Sequence, residues 1–255
     1  MKWDPTQYLA FGDLRLRPAL DLLERIPVAA PARVVDLGCG AGNVTRFLAE
    51  RWPEADITGV DNSFEMLEKA RAELPDARFV AADIAGWRAE PAPDVIFTNA
   101  ALQWLDDHET LFPSLVSKLA PGGRLAVQMP RNHGEASHQA MLRTVEDGPW
   151  RDRLGPVVRE SPVATPERYY EILAPHCRTL DIWETIYLQQ MEGDNPVKEF
   201  TKGTALRPFL DALAGAEREA FEAAYGNRIL EAYPPAADGH TLFPFRRLFI
   251  VAERG

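Results

Sequence analysis

A strand, a glycine-rich turn and a helix follow one another directly near the start of this chain. Residues 34–37 form an apolar run with the length of a short strand, and residues 44–49 have the apolar spacing of a helix. Gly38, Gly40 and Gly42 stand between them at alternate positions. Because glycine allows tight turns and close approach of the backbone to a ligand, the stretch predicts a ligand-binding strand–turn–helix unit of an α/β sheet.

The glycine spacing and one acidic residue favour a particular ligand. A dinucleotide-binding turn has its third glycine three positions after the second, where this chain has Asn43. Asp36 stands two residues before Gly38, where its charge would repel a pyrophosphate and attract a cation. The pattern D-x-G-x-G-x-G resembles the first motif of class I S-adenosylmethionine-dependent methyltransferases, whose ligand carries a sulfonium and an ammonium group. The alternative is a tight turn that binds no ligand.

Two further acidic residues follow the next predicted strands. Asp61 closes a strand at residues 56–60, about twenty residues beyond the glycines, where a βαβ unit places an acid against ribose hydroxyls. The next helix begins with Asn62 or Ser63 as its N-cap. Asp83 follows a strand at 77–81, and the resemblance implies that it faces the adenine amino group while Ile84 lies against the ring. The implied cofactor-binding set is Asp36, Gly38, Gly40, Gly42, Asp61, Asn62, Asp83, Ile84, Asn99 and Tyr8.

Composition narrows the class of protein. The chain has 255 residues, enough for one α/β domain with insertions, and a formal net charge of −10, which argues against nucleic acid as a partner. Its two cysteines, Cys39 and Cys177, make neither a disulfide framework nor a metal site, and we interpret Cys39 as a small turn residue. Without a long apolar run or a secretory signal, we expect a cytoplasmic protein with no membrane partner.

The order of the predicted elements gives the fold class. Strands alternate with helices from Arg33 to about Met129, and the fourth and fifth strands fall at 93–98 and 123–128. A helix at 166–173 and strands at 180–188 and 245–252 complete a doubly wound, Rossmann-like class I methyltransferase sheet. The surplus segments, with helical patterns at 196–203 and 217–233, predict a helical cap formed by insertions. The predicted divisions are a cofactor-binding core at 1–130, a cap segment at 131–165, a core helix and strand at 166–191, a helical cap at 192–241 and a last core strand at 242–255.

The end of the fourth strand also carries candidate site residues. Amino-group DNA methyltransferases usually have Asn/Asp-Pro-Pro-aromatic here, whereas this chain continues from Asn99 through two alanines and a leucine to Gln103 and Trp104. Leu-Gln-Trp resembles methyltransferases that act on small molecules. Ligands of doubly wound sheets bind at the carboxyl ends of strands, so Gln103 and Trp104 are expected to position the substrate. The alternative for Trp104 is packing of a helix on the sheet.

A narrower resemblance runs along nearly the whole chain. The strings WDPTQYL at 3–9, NAALQW at 99–104, QMPRN at 128–132, LRPFL at 206–210 and RLFIVA at 247–252 resemble those of the trans-aconitate 2-methyltransferase family. The resemblance implies transfer of a methyl group from S-adenosyl-L-methionine to a carboxylate of trans-aconitate or a close tricarboxylate. The products would be a monomethyl ester and S-adenosyl-L-homocysteine. A mild departure is Ala41, where the family often has proline.

A tricarboxylate substrate requires cationic side chains, and arginine suits bidentate binding of carboxylates. Arg207 is the best candidate, because it begins a predicted cap helix among large apolar residues expected to form a pocket wall. Arg246 and Arg247 are neighbours on a strand, so only one of them is expected to face a pocket. The predicted substrate-binding set is Tyr8, Arg131, Asn132, Arg207 and Arg247.

Two hypotheses remain besides methylation of a carboxylate. A carboxylate is already ionised near neutral pH, so methylation of a carboxylate requires no catalytic base. A phenol, amine or enolate acceptor would require one, and the available bases are His133, His138 and His240. The third hypothesis is a non-catalytic cofactor-binding module, although the predicted cap speaks against it.

Overall fold

The computed structural model describes residues 16–255, and the described chain divides into two compact units. Unit 1 consists of the described part of Met1–Pro130 together with Pro162–Thr185 and Arg247–Gly255, and unit 2 consists of Arg131–Ser161 and Ile186–Arg246. The predicted cofactor and substrate contacts of Tyr8 lie outside the described residues. None of the helices within residues 16–255 is long and apolar enough to cross a membrane.

Seven strands form one sheet in the order β3-β2-β1-β4-β5-β7-β6. Neighbouring strands from β3 to β5 are parallel, and β7 is antiparallel to β5. The strands are β1 (Arg33–Leu37), β2 (Asp56–Asp61), β3 (Arg78–Ala81), β4 (Val95–Asn99), β5 (Arg124–Pro130), β6 (Cys177–Met191) and β7 (Thr241–Arg254). The predicted α/β doubly wound fold is confirmed.

Within residues 16–255, five α-helices belong to unit 1, and their apolar sides pack on the sheet. Leu125, Val127 and Met129 alternate along β5 and share one apolar cluster with Phe112 and Tyr169, as the two-residue period of a strand requires. The helices are α1 (Arg17–Glu24), α2 (Thr45–Arg51), α3 (Phe64–Glu73), α4 (His108–Lys118) and α7 (Pro166–Leu173). The predicted helix at 166–173 is confirmed at both ends.

Unit 2 is mainly helical and has an aromatic core of its own. Trp150, Phe221 and Phe209 pack together there, with ring centroids 5.2 Å apart for the first pair and 6.1 Å for the second. Its helices are α5 (Ala136–Asp147), α6 (Arg151–Leu154), α8 (Pro196–Lys202), α9 (Arg207–Asp211) and α10 (Gly215–Ala232). The predicted helical segments at 196–203 and 217–233 are thereby confirmed, while a cap function for unit 2 stays a prediction.

The last two strands are longer than predicted. β6 begins three residues before the predicted 180 and ends three after 188, while β7 begins four residues before 245 and ends two after 252. The added residues are largely polar or exposed, so no apolar alternation marks them in the sequence. Pairing between neighbouring strands sets these ends.

Candidate functional site

The glycine turn after β1 is held in backbone conformations that suit glycine. Gly38, Gly40 and Gly42 have φ values of 76°, 54° and 82°, a region that side chains disfavour. A Cβ atom added to Gly38 would lie only 2.3 Å from the Cβ of Ala101. The glycine at position 38 is therefore required for close packing of the turn against the segment after β4.

Gly40 differs, because no described residue crowds it. A Cβ built on Gly40 meets no atom of residues 16–255 within 4 Å. Its N–H donates to Asp61 Oδ2 at 2.9 Å, and Asp61 Oδ1 accepts from the backbone N–H of Ser63 at 2.9 Å. Ser63 caps α3 by accepting from the N–H of Met66, which confirms one of the two predicted N-caps. Asp61 thus joins the turn to the start of α3.

Asp36 lies beneath the turn instead of on its surface. The residue is 2% exposed, and its Oδ2 accepts a hydrogen bond from the Thr45 hydroxyl at 2.7 Å. Burial raises the pKa of Asp36 to about 7, although the Thr45 hydrogen bond opposes that shift. Burial also raises the pKa of the Cys39 thiol, in keeping with a small, uncharged turn residue. A contact between Asp36 and a cationic ligand stays a prediction.

The segment after β3 comes close to the same turn. Asp83 is exposed and its Oδ1 accepts from the Ala85 N–H at 2.8 Å. Ile84 is half-buried, and its Cδ1 lies 3.6 Å from the position that a Cβ on Gly38 would occupy. Asn62 is exposed at the start of α3. The carboxyl ends of β1, β2, β3 and β4, the last of which ends at Asn99, therefore bring the described members of the predicted cofactor set to one edge of the sheet.

A short 3₁₀-helix, Leu102–Trp104, follows β4. Leu102 is fully buried, and Gln103 Nε2 donates to the carbonyl of Ala100 at 2.6 Å. Trp104 is 59% exposed, so its interpretation as a residue that packs a helix on the sheet is wrong. In this turn the buried position belongs to Leu102. A role of Gln103 and Trp104 in positioning the substrate stays a prediction.

His108 holds the 3₁₀-helix after β4 in place, a role that no sequence pattern predicted. Its Nε2 lies 2.9 Å from the carbonyl of Leu102, which assigns the donor role to Nε2, and its Nδ1 then accepts from the Tyr169 hydroxyl at 2.6 Å. Burial lowers the pKa of His108. Because Tyr169 lies 61 residues further along the chain, no local pattern indicates the pair.

Three polar side chains lie on neighbouring strands of unit 1, namely Asn99 on β4, Gln128 on β5 and Arg247 on β7. Gln128 is fully buried. It stands opposite Asn99 on β4 and opposite Phe249 on β7. Arg247 is 7% exposed, and its Nη1 lies 3.5 Å from Gln128 Oε1. The sequence predicts roles for Arg247 and Asn99 but none for Gln128. The only signal available was a polar residue inside an otherwise apolar strand.

Three other members of the predicted substrate-binding set belong to unit 2, namely Arg131, Asn132 and Arg207. Asn132 is 3% exposed, and its Oδ1 accepts from the Arg246 N–H at 2.8 Å. The backbone N–H of Arg131 donates to the carbonyl of Arg246 at 3.0 Å. The Arg246 guanidinium pairs with Glu135 at 2.8 Å. Arg246 is therefore engaged within unit 2, whereas Arg247 lies buried on the sheet of unit 1.

Arg207 is exposed on unit 2. Its side chain is 73% exposed and lies 3.5 Å from the Asp211 carboxylate. Its neighbours Leu206 and Phe209, which we expected to form a pocket wall, belong to the apolar core of unit 2. Because a five-residue helix buries one side only, Arg207 lies on the opposite side. Its role in binding substrate stays a prediction, while Tyr8 lies outside the described residues.

The three candidate bases also belong to unit 2. The rings of His133 and His138 are 4.8 Å apart. Burial lowers the pKa of His133, and burial together with neighbouring His133 lowers the pKa of His138 to about 4. His240 lies 3.4 Å from Glu192 and 3.3 Å from Asp238. A histidine with a lowered pKa is neutral near pH 7 but is a weak base.

Comparison with known proteins supports the fold and the family of this chain. Residues 34–123 match the family described as "Methyltransferase domain". Among solved structures, the YcgJ protein from Bacillus subtilis aligns with a TM-score of 0.60 at 16% identity, covering 93% of this chain and 98% of that one. A Haemonchus contortus phosphoethanolamine N-methyltransferase 2 in complex with S-adenosyl-L-methionine aligns with a TM-score of 0.55 at 18% identity, covering 94% of this chain and 53% of that one. At these identities the two structures show the fold.

Relatives with much higher identity extend over the whole chain. A protein from Azoarcus sp. (strain BH72) named trans-aconitate 2-methyltransferase is 50% identical over 252 residues, covering 99% of both chains. A protein of the same name from Methylobacterium nodulans is 49% identical over 253 residues, covering 99% of this chain and 98% of its own. Both alignments include unit 2 as well as the glycine turn. This chain belongs to the trans-aconitate 2-methyltransferase family.

Proposed function

We propose that this protein is a methyltransferase that forms a monomethyl ester of trans-aconitate, or of a close tricarboxylate, from S-adenosyl-L-methionine. The observation that carries the proposal is the 50% identity, over 99% of both chains, to a relative of that name. The glycine turn joined to Asp61 supports it, because among the described residues nothing blocks a ligand from approaching the backbone of Gly40.

The residues at the sheet edge fit the cofactor. Gly40 leaves room for a ligand against the backbone, and Ile84 offers an apolar surface beside Gly38. Each oxygen of Asp61 accepts one backbone hydrogen bond, and a carboxylate oxygen can accept a second one, here from a ribose hydroxyl. The proposed set is completed, among the described residues, by Asp36, Gly38, Gly42, Asn62, Asp83 and Asn99. When bound, the cofactor supplies an electrophilic methyl group on a sulfonium.

The protein's part in the reaction is binding and orientation. The acceptor carboxylate is ionised near pH 7, so no residue is required to remove a proton. Alignment of the carboxylate and exclusion of water then account for catalysis. Arg247 is the described arginine best suited to a desolvated carboxylate, because it is buried in unit 1. Arg131, Asn132, Arg207, Gln103 and Trp104 remain proposed contacts, and a small anionic substrate and a cytoplasmic location complete the proposal.

Incubation with S-adenosyl-L-methionine labelled in its methyl group tests the reaction. We expect base-labile methyl esters with trans-aconitate and weaker labelling of other di- and tricarboxylates. The value of kcat at saturating substrates should not change from about pH 7.5 to 9, because the acceptor stays ionised throughout.

Each alternative predicts a different result. Label found only on a phenol, amine or enolate, with a pH profile lost in His133→Gln or His138→Gln, would replace the proposal with a base-dependent methyltransferase. Cofactor binding in calorimetry without turnover of any acid would indicate a binding module.

A further inference from the structure

Gln128 occupies a position where an amide does not favour folding. The residue is fully buried in the middle of the sheet, on β5. Its Nε2 has no hydrogen-bond partner within residues 16–255, and a buried donor without an acceptor lowers the stability of a fold. An apolar side chain of similar volume would avoid that penalty. The unpaired donor of this amide therefore requires an explanation.

Arg247 supplies that explanation. Pro130 and Arg247 are in register between β5 and β7, and so are Gln128 and Phe249. Residues two apart on a strand share a face of the sheet, so Gln128 and Arg247 lie on the same face. Gln128 Oε1 is 3.5 Å from Arg247 Nη1, which places the amide oxygen where it can orient the guanidinium.

The surroundings strengthen any ion pair that Arg247 makes. Phe249, two residues along β7, is fully buried and stacks on Trp183 with ring centroids 4.9 Å apart and an interplanar angle of 7°. Charge–charge attraction is stronger in such an apolar environment than in water. A neutral partner such as an amide orients the arginine without cancelling its charge, whereas a carboxylate at position 128 would cancel it.

We propose that Gln128 is a positioning residue that orients the buried Arg247 guanidinium to bind one carboxylate of the substrate. This inference rests on the proposed function and adds a residue that the sequence analysis did not assign. Arg247 touches the substrate carboxylate, and Gln128 acts through Arg247. The ligand chemistry is a fixed carboxylate at a bidentate cation.

Two substitutions separate orientation from charge. Gln128→Met keeps the volume and removes the amide, so Arg247 loses its orientation, and KM for trans-aconitate should rise about tenfold with kcat within about twofold. The substitution removes the unpaired Nε2 donor but also the acceptor of Arg247 Nη1, so its two effects on stability oppose each other, and the melting temperature serves to confirm that the variant folds. Gln128→Glu places a carboxylate beside Arg247, and KM should then rise on the order of a hundredfold.

The control is Thr98→Val. Thr98 is also fully buried, and its Oγ1 also has no partner within the described residues. It precedes Asn99 on β4, so its side chain faces the opposite side of the sheet from Gln128. Thr98→Val should leave KM for trans-aconitate unchanged.

Calorimetry gives a reading that does not depend on turnover. Trans-aconitate is titrated into each variant saturated with S-adenosyl-L-homocysteine, and Kd should follow the order wild type, Gln128→Met, Gln128→Glu, while cofactor affinity stays constant. If wild-type protein binds and methylates trans-aconitate but Gln128→Met retains wild-type Kd and KM, the inference is wrong and the proposed function stands. If wild-type protein neither binds nor methylates trans-aconitate, the proposed function itself fails.

Discussion

Single residues in the glycine turn have separable roles. Gly38 and Gly40 both have positive φ values, 76° and 54°, but a side chain would meet Ala101 at the first position and no atom of the described residues at the second. The sequence predicts both glycines equally well, since each follows from the motif. It does not indicate which one serves packing and which one leaves room for a ligand, because that depends on Ala101, 63 residues away from position 38.

Alanine substitutions distinguish the two glycines. Gly40→Ala should lower the free energy of unfolding by only about 1 kcal/mol, the penalty of a positive φ, and should weaken S-adenosyl-L-methionine binding at least about tenfold because the methyl group occupies the open space. Gly38→Ala should lower the free energy of unfolding by about 2–4 kcal/mol through overpacking and strain. Calorimetry and urea unfolding check both. Wild-type cofactor affinity in Gly40→Ala would show that the ligand lies elsewhere.

Asp36 gives unit 1 an unusual dependence on pH. Its pKa is about 7 in the folded protein against 3.8 for an ordinary aspartate, so the folded state binds more protons than the unfolded state between these values. The free energy of unfolding therefore falls as pH rises from about 4 to 7 and is level above that range. Asp36→Asn should abolish this contribution and stabilise the protein at pH 8 by at most about 4 kcal/mol.

Urea unfolding of wild type and Asp36→Asn from pH 4 to 8 measures the difference. Thr45→Val is the matched variant, because loss of the hydroxyl removes a hydrogen bond that lowers the pKa of Asp36. The decline should then extend to higher pH. Parallel curves for wild type and Asp36→Asn would contradict the raised pKa.

At the scale of elements, local patterns predicted the centres of strands and helices. The helix at 166–173 is found with both predicted ends because Thr165 caps it and Pro166 begins it. The ends of β6 and β7 were not predicted, because partner strands determine them. The 3₁₀-helix after β4 was missed for a similar reason, since His108 and Tyr169 hold it through contacts distant in sequence.

The hydroxyl of Tyr169 should contribute to the stability of this connection. Tyr169→Phe leaves the ring in place and removes the donor to His108 Nδ1, so the free energy of unfolding should fall by about 1–2 kcal/mol. Tyr170→Phe is the matched control, because the neighbouring Tyr170 is 60% exposed and its hydroxyl can bond to water. Urea unfolding checks both variants. Equal stability of the two would show that the His108–Tyr169 contact contributes nothing.

At the scale of the whole molecule, the two units differ in their sensitivity to acid. In unit 2 the pKa of His138 is lowered from 6.5 to about 4, so the unfolded state binds the extra proton and stability falls as pH falls below about 6.5. The loss is at most about 3 kcal/mol by pH 4. In unit 1 the lowered pKa of His108 acts in the same direction, and the raised pKa of Asp36 acts in the opposite direction.

Hydrogen exchange can measure the stability of the two units separately. On lowering pH from 7 to 5, amides of α5 and α10 should lose protection, after correction for intrinsic rates, before those of β1 and β4. His138→Gln should reduce that loss, and substitution of the exposed His176 by Gln should not change it. Equal loss in both units would contradict the prediction.

The strand order also determines when the sheet can be completed during synthesis. β6 has β7 as its only neighbour among the described strands, yet Met191 at the end of β6 is translated 50 residues before Thr241 begins β7. A ribosome therefore exposes β6, and the open side of β5, well before the strand that joins them exists. Chains stalled with residue 240 as the last exposed residue should be cut by protease within β6, and chains released through residue 254 should resist it. Slow translation of the 192–240 segment would prolong exposure of these unpaired edges to chaperones and to other nascent chains.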